Sequence, residues 1–109
     1  MVLDISALLA MLFAGHEREM FIADLADAKD PVVSAGTLLE ASIVMHTRTG
    51  PEGVADLDRL LEAAGVRCVA VDRSQAVIAR RLSGSNYTDR FAYALAEALK
   101  RPLLSKTPT

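Results

Sequence analysis

The chain has 109 residues, of which 51% are hydrophobic and 24% are charged, and its formal net charge is -2. This length and apolar content suit one compact domain, residues 1–109, and leave little room for a second. The net charge excludes binding to nucleic acid through a general excess of basic residues, because proteins that bind in that way carry a clear positive charge. Any contact with nucleic acid must therefore be local.

The apolar stretches predict neither a membrane span nor a disulfide. The longest stretch, residues 5–15, is interrupted by Ser6 and is well short of the roughly 20 apolar residues that a transmembrane helix needs. Cys68, the only cysteine, lies in the apolar run 68–71 and is expected to be a small buried core residue. A single cysteine and the lack of a basic leader with a cleavage site favour a reducing, cytoplasmic setting.

The first third of the chain predicts a strand, two helices and a second strand. Residues 1–4 form a short apolar strand, and residues 6–12 are rich in good helix formers. Residues 17–28 contain neither glycine nor proline and are predicted to form a helix. That helix ends before Pro31, because the residue before a proline disfavours the helical conformation. Residues 32–34 are a short β-branched run and are predicted to form the second strand.

The remaining residues continue this alternation. Residues 35–47 and 51–64 predict two helices separated at Gly50, since glycine suits a helix C-terminus and proline the first helical position. Residues 66–71 have the strongest strand pattern in the chain. The last elements are predicted as a helix over 72–82, a turn over 83–86, a helix over 88–100 and a strand over 102–104. The alternation predicts an α/β domain whose mainly parallel sheet is covered on both faces.

The absence of several motifs leaves oxygen ligands as the remaining chemistry. Neither a Gly-x-Gly-x-x-Gly nor a Gly-x4-Gly-Lys-Ser/Thr loop is present, so nucleotide binding by those devices is unsupported. One cysteine and two distant histidines, His16 and His46, do not have the spacing of a zinc site. Ligands of parallel sheets bind outside the carboxyl ends of the strands. Asp4, at the end of the first strand, is therefore the first candidate.

Three carboxylates are candidates for function, and each also has an ordinary structural explanation. Asp4 can be the N-cap of the following helix. Glu40 lies between apolar pairs in a helix, where a buried charge needs a partner unless the side chain projects into water. Asp89 lies in the first turn of a helix, where the helix dipole favours an acid. Held close together the three would repel one another, and a hard cation such as Mg²⁺ would reverse that repulsion.

Basic residues are concentrated near the third carboxylate. Arg80, Arg81, Arg90 and the pair at 100–101 all lie in the C-terminal third of the chain. They form either a basic patch or ordinary solvated helix faces and termini. Arg80 and Arg81 are the candidates for substrate binding.

Three stretches of this sequence, in this order, resemble the VapC toxin family of PIN-domain ribonucleases. This family supplies the toxin half of bacterial type II toxin-antitoxin pairs. The stretches are Val2-Leu3-Asp4-Ile5-Ser6-Ala7-Leu8-Leu9-Ala10, Ser34-Ala35-Gly36-Thr37-Leu38-Leu39-Glu40-Ala41, and Asp89-Arg90-Phe91-Ala92-Tyr93-Ala94-Leu95-Ala96 with Pro102-Leu103-Leu104. The resemblance extends over nearly the whole chain and implies a PIN-like three-layer α/β/α domain.

The resemblance also implies a function. Asp4, Glu40 and Asp89 fall on the acidic positions of the family, whose pocket binds Mg²⁺ or Mn²⁺ and cleaves RNA of the tRNA or ribosomal RNA class. Ser6 matches the small hydroxyl residue that supports this pocket. The resemblance further implies a homodimer and a cognate antitoxin whose C-terminal segment covers the active site.

The C-terminal part departs from the family pattern. Thr88 and Arg90 stand where glycine and cysteine are usual, and Arg90 can pair with Asp89 and compete with a metal ion. Residues 105–109 supply no fourth carboxylate, which predicts weaker metal binding, although Ser105 or Thr107 can reach a metal-bound water. The alternative function is therefore a catalytically weak or inactive PIN-like module that dimerises and binds an antitoxin.

Overall fold

The computed structural model describes residues 1–82 and 87–106, so the predicted turn at 83–86 and Thr107 lie outside the described residues. The described part contains four short strands and five helices that alternate along the chain. In chain order they are β1 (Val2–Leu3), α1 (Ile5–Leu12), α2 (Arg18–Asp27), β2 (Val32–Ser34), α3 (Ala35–Ala63), β3 (Arg67–Val69), α4 (Arg73–Arg80), α5 (Tyr87–Leu99) and β4 (Leu103–Leu104). None of these helices is both long enough and apolar enough to cross a membrane.

The four strands form one parallel sheet in the order β3-β2-β1-β4. Val2 of β1 pairs with Val32 of β2 and with Leu103 of β4, so β1 is a central strand. Every residue of β1 and β2 is buried, as expected for parallel strands covered by helices on both faces. The predicted α/β fold with a parallel sheet is confirmed.

The two faces of the sheet carry separate apolar cores. Because successive side chains of a strand point to opposite faces, Leu3 and Val33 lie on one face and Val2 and Val32 on the other. Leu3 and Val33 pack with residues of α1, α2 and α3. Val2 and Val32 pack against Ala92 and Leu95 of α5. These two cores establish the three layers, helix on sheet on helix, that the sequence predicted.

A break divides α3 at the position that the sequence predicted. Gly50 has φ 70° and ψ -160°, outside the helical region, and Pro51 begins the second helical half. Glycine adopts a positive φ without the steric penalty of a side chain, and proline needs no hydrogen-bond acceptor in the first turn. The two helices predicted over 35–47 and 51–64 are therefore the two halves of α3, interrupted at Gly50.

The third strand is shorter and more exposed than predicted. β3 covers three residues at the edge of the sheet, and Cys68 is exposed. The prediction of a buried core cysteine is therefore wrong. An apolar β-branched run indicates a strand but does not say whether the strand lies at the centre or at the edge of its sheet. Arg67 places a charge on this edge, which discourages pairing with another chain.

Asp30 joins the segments that enter β2, β3 and β4. The Nε and Nη2 atoms of Arg67 donate to its carboxylate at 3.2 and 3.0 Å. The Nη1 atom of Arg101 donates to the backbone carbonyl of Asp30 at 2.9 Å and to Oδ2 at 3.1 Å. Asp30 itself has a φ of 49°. One carboxylate thus connects the amino-terminal ends of three strands.

The Asp30 network predicts a specific pH dependence of stability. Hydrogen bonds from Arg67, and then from Arg101, hold the pKa of Asp30 at about 2. A pKa lowered by folding stabilises the protein above the unfolded value near ~3.9, and this contribution is lost as the pH falls toward about 2. In thermal unfolding, the midpoint of the wild type should therefore fall more steeply over this range than that of Asp30→Asn. Asparagine tolerates the positive φ. Equal pH dependence in the two proteins would contradict the assignment.

Candidate active site

The carboxyl ends of β1, β2 and β4 meet at one edge of the sheet, and Asp4 lies there directly after β1. The N–H of Asp4 donates to the carbonyl of Leu104 at 2.9 Å. Continuing the strand pairing places Asp4 level with Ser34 and Ser105. Only 3% of Asp4 is exposed. The fold therefore brings a carboxylate into the interior at the edge where parallel sheets bind ligands.

Asp4 occupies the N-cap position of α1 without acting as an ordinary cap. Its side chain makes no capping hydrogen bond to α1. The hydroxyl of Ser6 donates to Oδ2 at 2.9 Å, while Oδ1 is buried and has no hydrogen-bond partner. A buried polar atom without a partner is costly. Helix capping therefore does not account for the burial of this carboxylate.

The charge of Asp4 is coupled to that of Asp89. Burial raises the pKa of the Asp4 carboxyl, the hydrogen bond from Ser6 opposes this, and the charge of Asp89 raises the pKa further. Burial also raises the pKa of the Tyr93 phenol, and Asp4 and Asp89 add to that effect. Tyr93 follows Asp89 by one turn on the same face of α5. The end of β1 and the start of α5 therefore form one acidic cluster of Asp4, Asp89 and Tyr93.

Gly36 brings the start of α3 against α5. A Cβ atom at Gly36 would lie 2.4 Å from ring carbons of Phe91, so no larger residue fits while the two helices keep this distance. Glu40 follows Gly36 by one turn on the same helix face and is half-buried. Within the described part of the chain, Glu40 has no hydrogen-bond or ion-pair partner. It lies on the helix beside the Asp89 helix, partly open to solvent.

The described structure brings two of the three predicted ligands, Asp4 and Asp89, near each other. Within residues 1–82 and 87–106, no three His, Cys, Asp or Glu side chains are gathered closely enough to hold a metal ion. Asp4 and Asp89 are within range of each other's charge, and Asp4 Oδ1 is unpaired. Mg²⁺ prefers such carboxylate oxygens and keeps several waters of its own. Metal binding by Asp4, Asp89 and Glu40 remains a prediction.

Two buried hydroxyls at this end of the sheet were not predicted as part of the site. Ser34 is fully buried, and its Oγ accepts a hydrogen bond from the N–H of Gly36 at 3.2 Å, which caps α3. Thr37 is also fully buried, and its Oγ1 has no hydrogen-bond partner. A serine between a strand and a helix is a recognisable cap in the sequence. The burial of Thr37 depends on how α3 packs, which has no local signal.

The arginines chosen from the sequence belong to α4 and its C-cap. Arg80 and Arg81 are exposed at the end of α4. Arg80 lines a groove of about 240 Å³ between α4 and α5, and Arg90 lines the same groove. The Nε of Arg90 is buried there without a hydrogen-bond partner, so the expected pairing of Arg90 with Asp89 is not seen in the described residues. Substrate binding by Arg80 and Arg81 remains a prediction.

Comparison with known proteins identifies the class to which this fold and acidic cluster belong. The PIN domain family model matches residues 1–106. "Ribonuclease VapC" of Mycolicibacterium smegmatis is 39% identical over 116 residues, which cover 97% of this chain and 90% of that protein. "Ribonuclease VapC30" of Mycobacterium tuberculosis is 37% identical over 116 residues, which cover 97% of this chain and 88% of that protein. The chain belongs to the VapC ribonuclease family of PIN-domain proteins.

A solved structure agrees with the fold. The crystal structure of Mycobacterium tuberculosis VapC20, described as a sarcin-ricin loop cleaving toxin, superposes with a TM-score of 0.77. The superposition covers 98% of this chain and 89% of that one, at 16% sequence identity. At this identity the likeness establishes the three-layer fold alone.

Proposed function

We propose that this chain is the toxin component of a type II toxin-antitoxin pair and an endoribonuclease that cleaves RNA with Mg²⁺ or Mn²⁺. One observation carries the proposal. The carboxylate of Asp4 is buried, lacks a partner for Oδ1 and is coupled to the charge of Asp89, in a chain 39% identical to a VapC ribonuclease. A buried carboxylate with a second negative charge nearby is costly unless a cation or a proton offsets its charge.

In this proposal each residue of the site has a separate role. Asp4 and Asp89, with Glu40 as the third acid, hold the cation, which when bound supplies positive charge beside a phosphodiester and favours deprotonation of a water. Ser6 fixes the orientation of Asp4 through Oδ2 and leaves Oδ1 for the ligand. Tyr93 keeps its proton at neutral pH, as tyrosine ordinarily does, and the raised pKa adds to this, so its hydroxyl can donate a hydrogen bond.

The proposed partners are an RNA substrate of the tRNA or ribosomal RNA class, a cognate antitoxin and a second copy of the chain, all in the cytoplasm. The names of the VapC relatives and the description of VapC20 support the first two. Leu39 and Ile43 support the third, because they lie one turn apart on α3 and are 60% and 50% exposed. Large apolar side chains grouped in this way are typical of interfaces.

An RNA cleavage assay with defined metal ions tests the proposal. Cleavage should require Mg²⁺ or Mn²⁺ and disappear in EDTA. Loss of a residue that only supports a metal ligand costs about 10- to 100-fold in metal affinity or activity, so Asp89→Asn should lower cleavage by at least about 100-fold. Glu40→Gln should have a comparable effect if Glu40 is a ligand. Asp58→Asn, at an exposed position on α3, is the matched control and should leave cleavage unchanged.

Two outcomes separate the proposal from its alternative. If the wild type shows no metal-dependent cleavage of any tRNA or ribosomal RNA, the nuclease proposal is wrong. Binding to an antitoxin and dimerisation, measured on the same preparation, would then select the catalytically inactive module.

A further inference from the structure

A shallow groove of about 310 Å³ opens beside the acidic cluster and shares no lining residue with the groove of Arg80. It lies between the end of α1, the first half of α3 and the segment after β4. Its polar and aromatic lining comes from Ser6, Phe13, Arg48 and Lys106. No function was predicted from the sequence for Phe13, Arg48 or Lys106.

A single hydroxyl connects this groove to the catalytic carboxylate. Ser6 Oγ donates to Asp4 Oδ2 at 2.9 Å and accepts a hydrogen bond from the backbone N–H of Lys106 at 2.8 Å. Ser6 therefore belongs both to the support of Asp4 and to the lining of the groove. An RNA strand with one phosphate at Asp4 would place an adjacent nucleotide in this groove.

The groove also carries the local positive charge that an RNA-binding protein of net charge -2 needs. The guanidinium of Arg48 lies over the ring of Phe13, 5.2 Å from its centroid, and Phe13 is 37% exposed. Within the described residues, Lys106 makes one long ion pair, with its Nζ 3.8 Å from Glu17 Oε2, and its side chain is 57% exposed. At this distance, and with the lysine open to solvent, the pair contributes little, so the ammonium can also contact a phosphate.

We propose that this groove binds a nucleotide adjacent to the scissile phosphate. The base stacks on the guanidinium of Arg48, which lies over the ring of Phe13, and the phosphate pairs with Lys106 and Arg48. Proteins recognise single-stranded RNA by this combination, stacking bases on aromatic rings or guanidinium planes within a positively charged groove. The inference rests on the proposed RNA cleavage and assigns the substrate contacts to α1, α3 and the segment after β4, not to Arg80 and Arg81.

Equilibrium binding of a single-stranded RNA oligonucleotide to the full chain in EDTA tests the groove without requiring cleavage. Phe13→Leu keeps an apolar side chain but removes the aromatic face, and should weaken binding by about fivefold or more. Arg48→Gln should weaken binding and reduce the slope of log affinity against log salt by about 0.7 for each phosphate that is no longer neutralised. Arg48→Lys should keep the salt slope and still bind more weakly, because lysine has no planar group for stacking.

Arg59→Gln is the matched control, since Arg59 is also an exposed arginine of α3 and pairs with Asp56. Melting temperatures of all variants identify any loss of fold. If Arg48→Gln and Phe13→Leu bind RNA as Arg59→Gln does, the inference is wrong. If Phe13→Leu fails to fold, Arg48→Gln and its salt slope decide alone.

The same data separate this inference from the proposed function. A wild type that cleaves RNA, with unaltered RNA affinity in the groove variants, overturns the inference and leaves the nuclease proposal intact. A wild type that binds RNA through Phe13 and Arg48 but never cleaves it supports the groove and contradicts the nuclease. Unaltered RNA affinity together with lost affinity for an acidic protein partner would assign the groove to that partner instead, and would also overturn the inference.

Discussion

Asp4→Asn is expected to abolish RNA cleavage and, in metal-free buffer, to raise the melting temperature. Both effects have one cause, because the carboxylate that would bind a cation is buried and only partly hydrogen-bonded. Asparagine has nearly the same shape and can still accept the hydrogen bond from Ser6, yet it carries no charge to bury. Loss of a carboxylate ligand should lower cleavage by at least about 100-fold, as for Asp89.

The direction of the Asp4 pKa shift determines how the stability of the protein depends on pH. Burial raises the pKa of Asp4 in the folded protein, so the folded state holds this proton more tightly than the unfolded state. The free energy of unfolding therefore falls as the pH rises from the unfolded value of ~3.9 through the folded pKa, and the full penalty is present above the folded pKa. The advantage of Asp4→Asn should thus grow as the pH rises over this range and disappear below about pH 3.

Metal ions supply the control for this prediction. A ligand that binds only the folded state raises the melting temperature in proportion to the logarithm of its concentration. Mg²⁺ or Mn²⁺ should therefore stabilise the wild type and leave Asp4→Asn unchanged. Asp58→Asn, at an exposed position, should behave as the wild type does. If Asp4→Asn melts below the wild type in EDTA, the buried carboxylate of Asp4 does not destabilise the metal-free protein, and the prediction is wrong.

Gly36→Ala is expected to destabilise the protein by about 1 to 3 kcal/mol, the usual cost of overpacking a tight contact. The new Cβ would lie 2.4 Å from Phe91 carbons that include Cγ, the root of the ring, so the ring cannot simply rotate away. Alanine is otherwise the better helix residue by up to ~1 kcal/mol. A net loss of stability therefore measures the clash between α3 and α5.

Gly36→Ala should also lower RNA cleavage. α5 must move away from α3 to admit the methyl group, and Asp89 lies two residues before Phe91 on α5. A displacement of about 1 Å can cost a catalytic site on the order of 100-fold, so cleavage should fall by about 10- to 100-fold.

Gly15→Ala is the control for stability, because a Cβ there would meet Ala10 at an ordinary distance of 3.5 Å. Denaturant unfolding of the three proteins compares their free energies. If Gly36→Ala unfolds at the same denaturant concentration as Gly15→Ala, the contact between Gly36 and Phe91 does not control the distance between these helices.

Features with a local cause were predictable from the sequence. The strand at Val32–Ser34 has the predicted bounds, and the break in α3 falls at Gly50, because β-branched runs and Gly-Pro pairs act on their immediate neighbours. The position of Asp4 after β1 followed from the same kind of pattern. These signals determine which element forms and where it ends.

Features that depend on strand order and helix packing were not predictable in this way. The exposure of Cys68 follows from the edge position of β3. A run of apolar residues does not indicate which strands will lie beside it in the sheet. The half-buried state of Glu40 depends on how closely α3 approaches α5 at Gly36. The groove of Phe13 and Arg48 joins the end of α1 to α3, so neither residue stands out within its own segment.

The hydrogen bond between Ser6 and Lys106 also bears on when the site can form during synthesis. It joins residues 100 positions apart, and β4, which precedes Lys106, holds the backbone of Asp4 through Leu104. A nascent chain whose residues 103–106 are still within the ribosome has Asp4 but neither its strand neighbour nor the second partner of the Ser6 hydroxyl. The contacts that hold Asp4 and Ser6 are thus completed only after residues 103–106 have emerged, so the activity proposed for this chain requires that these residues have left the ribosome.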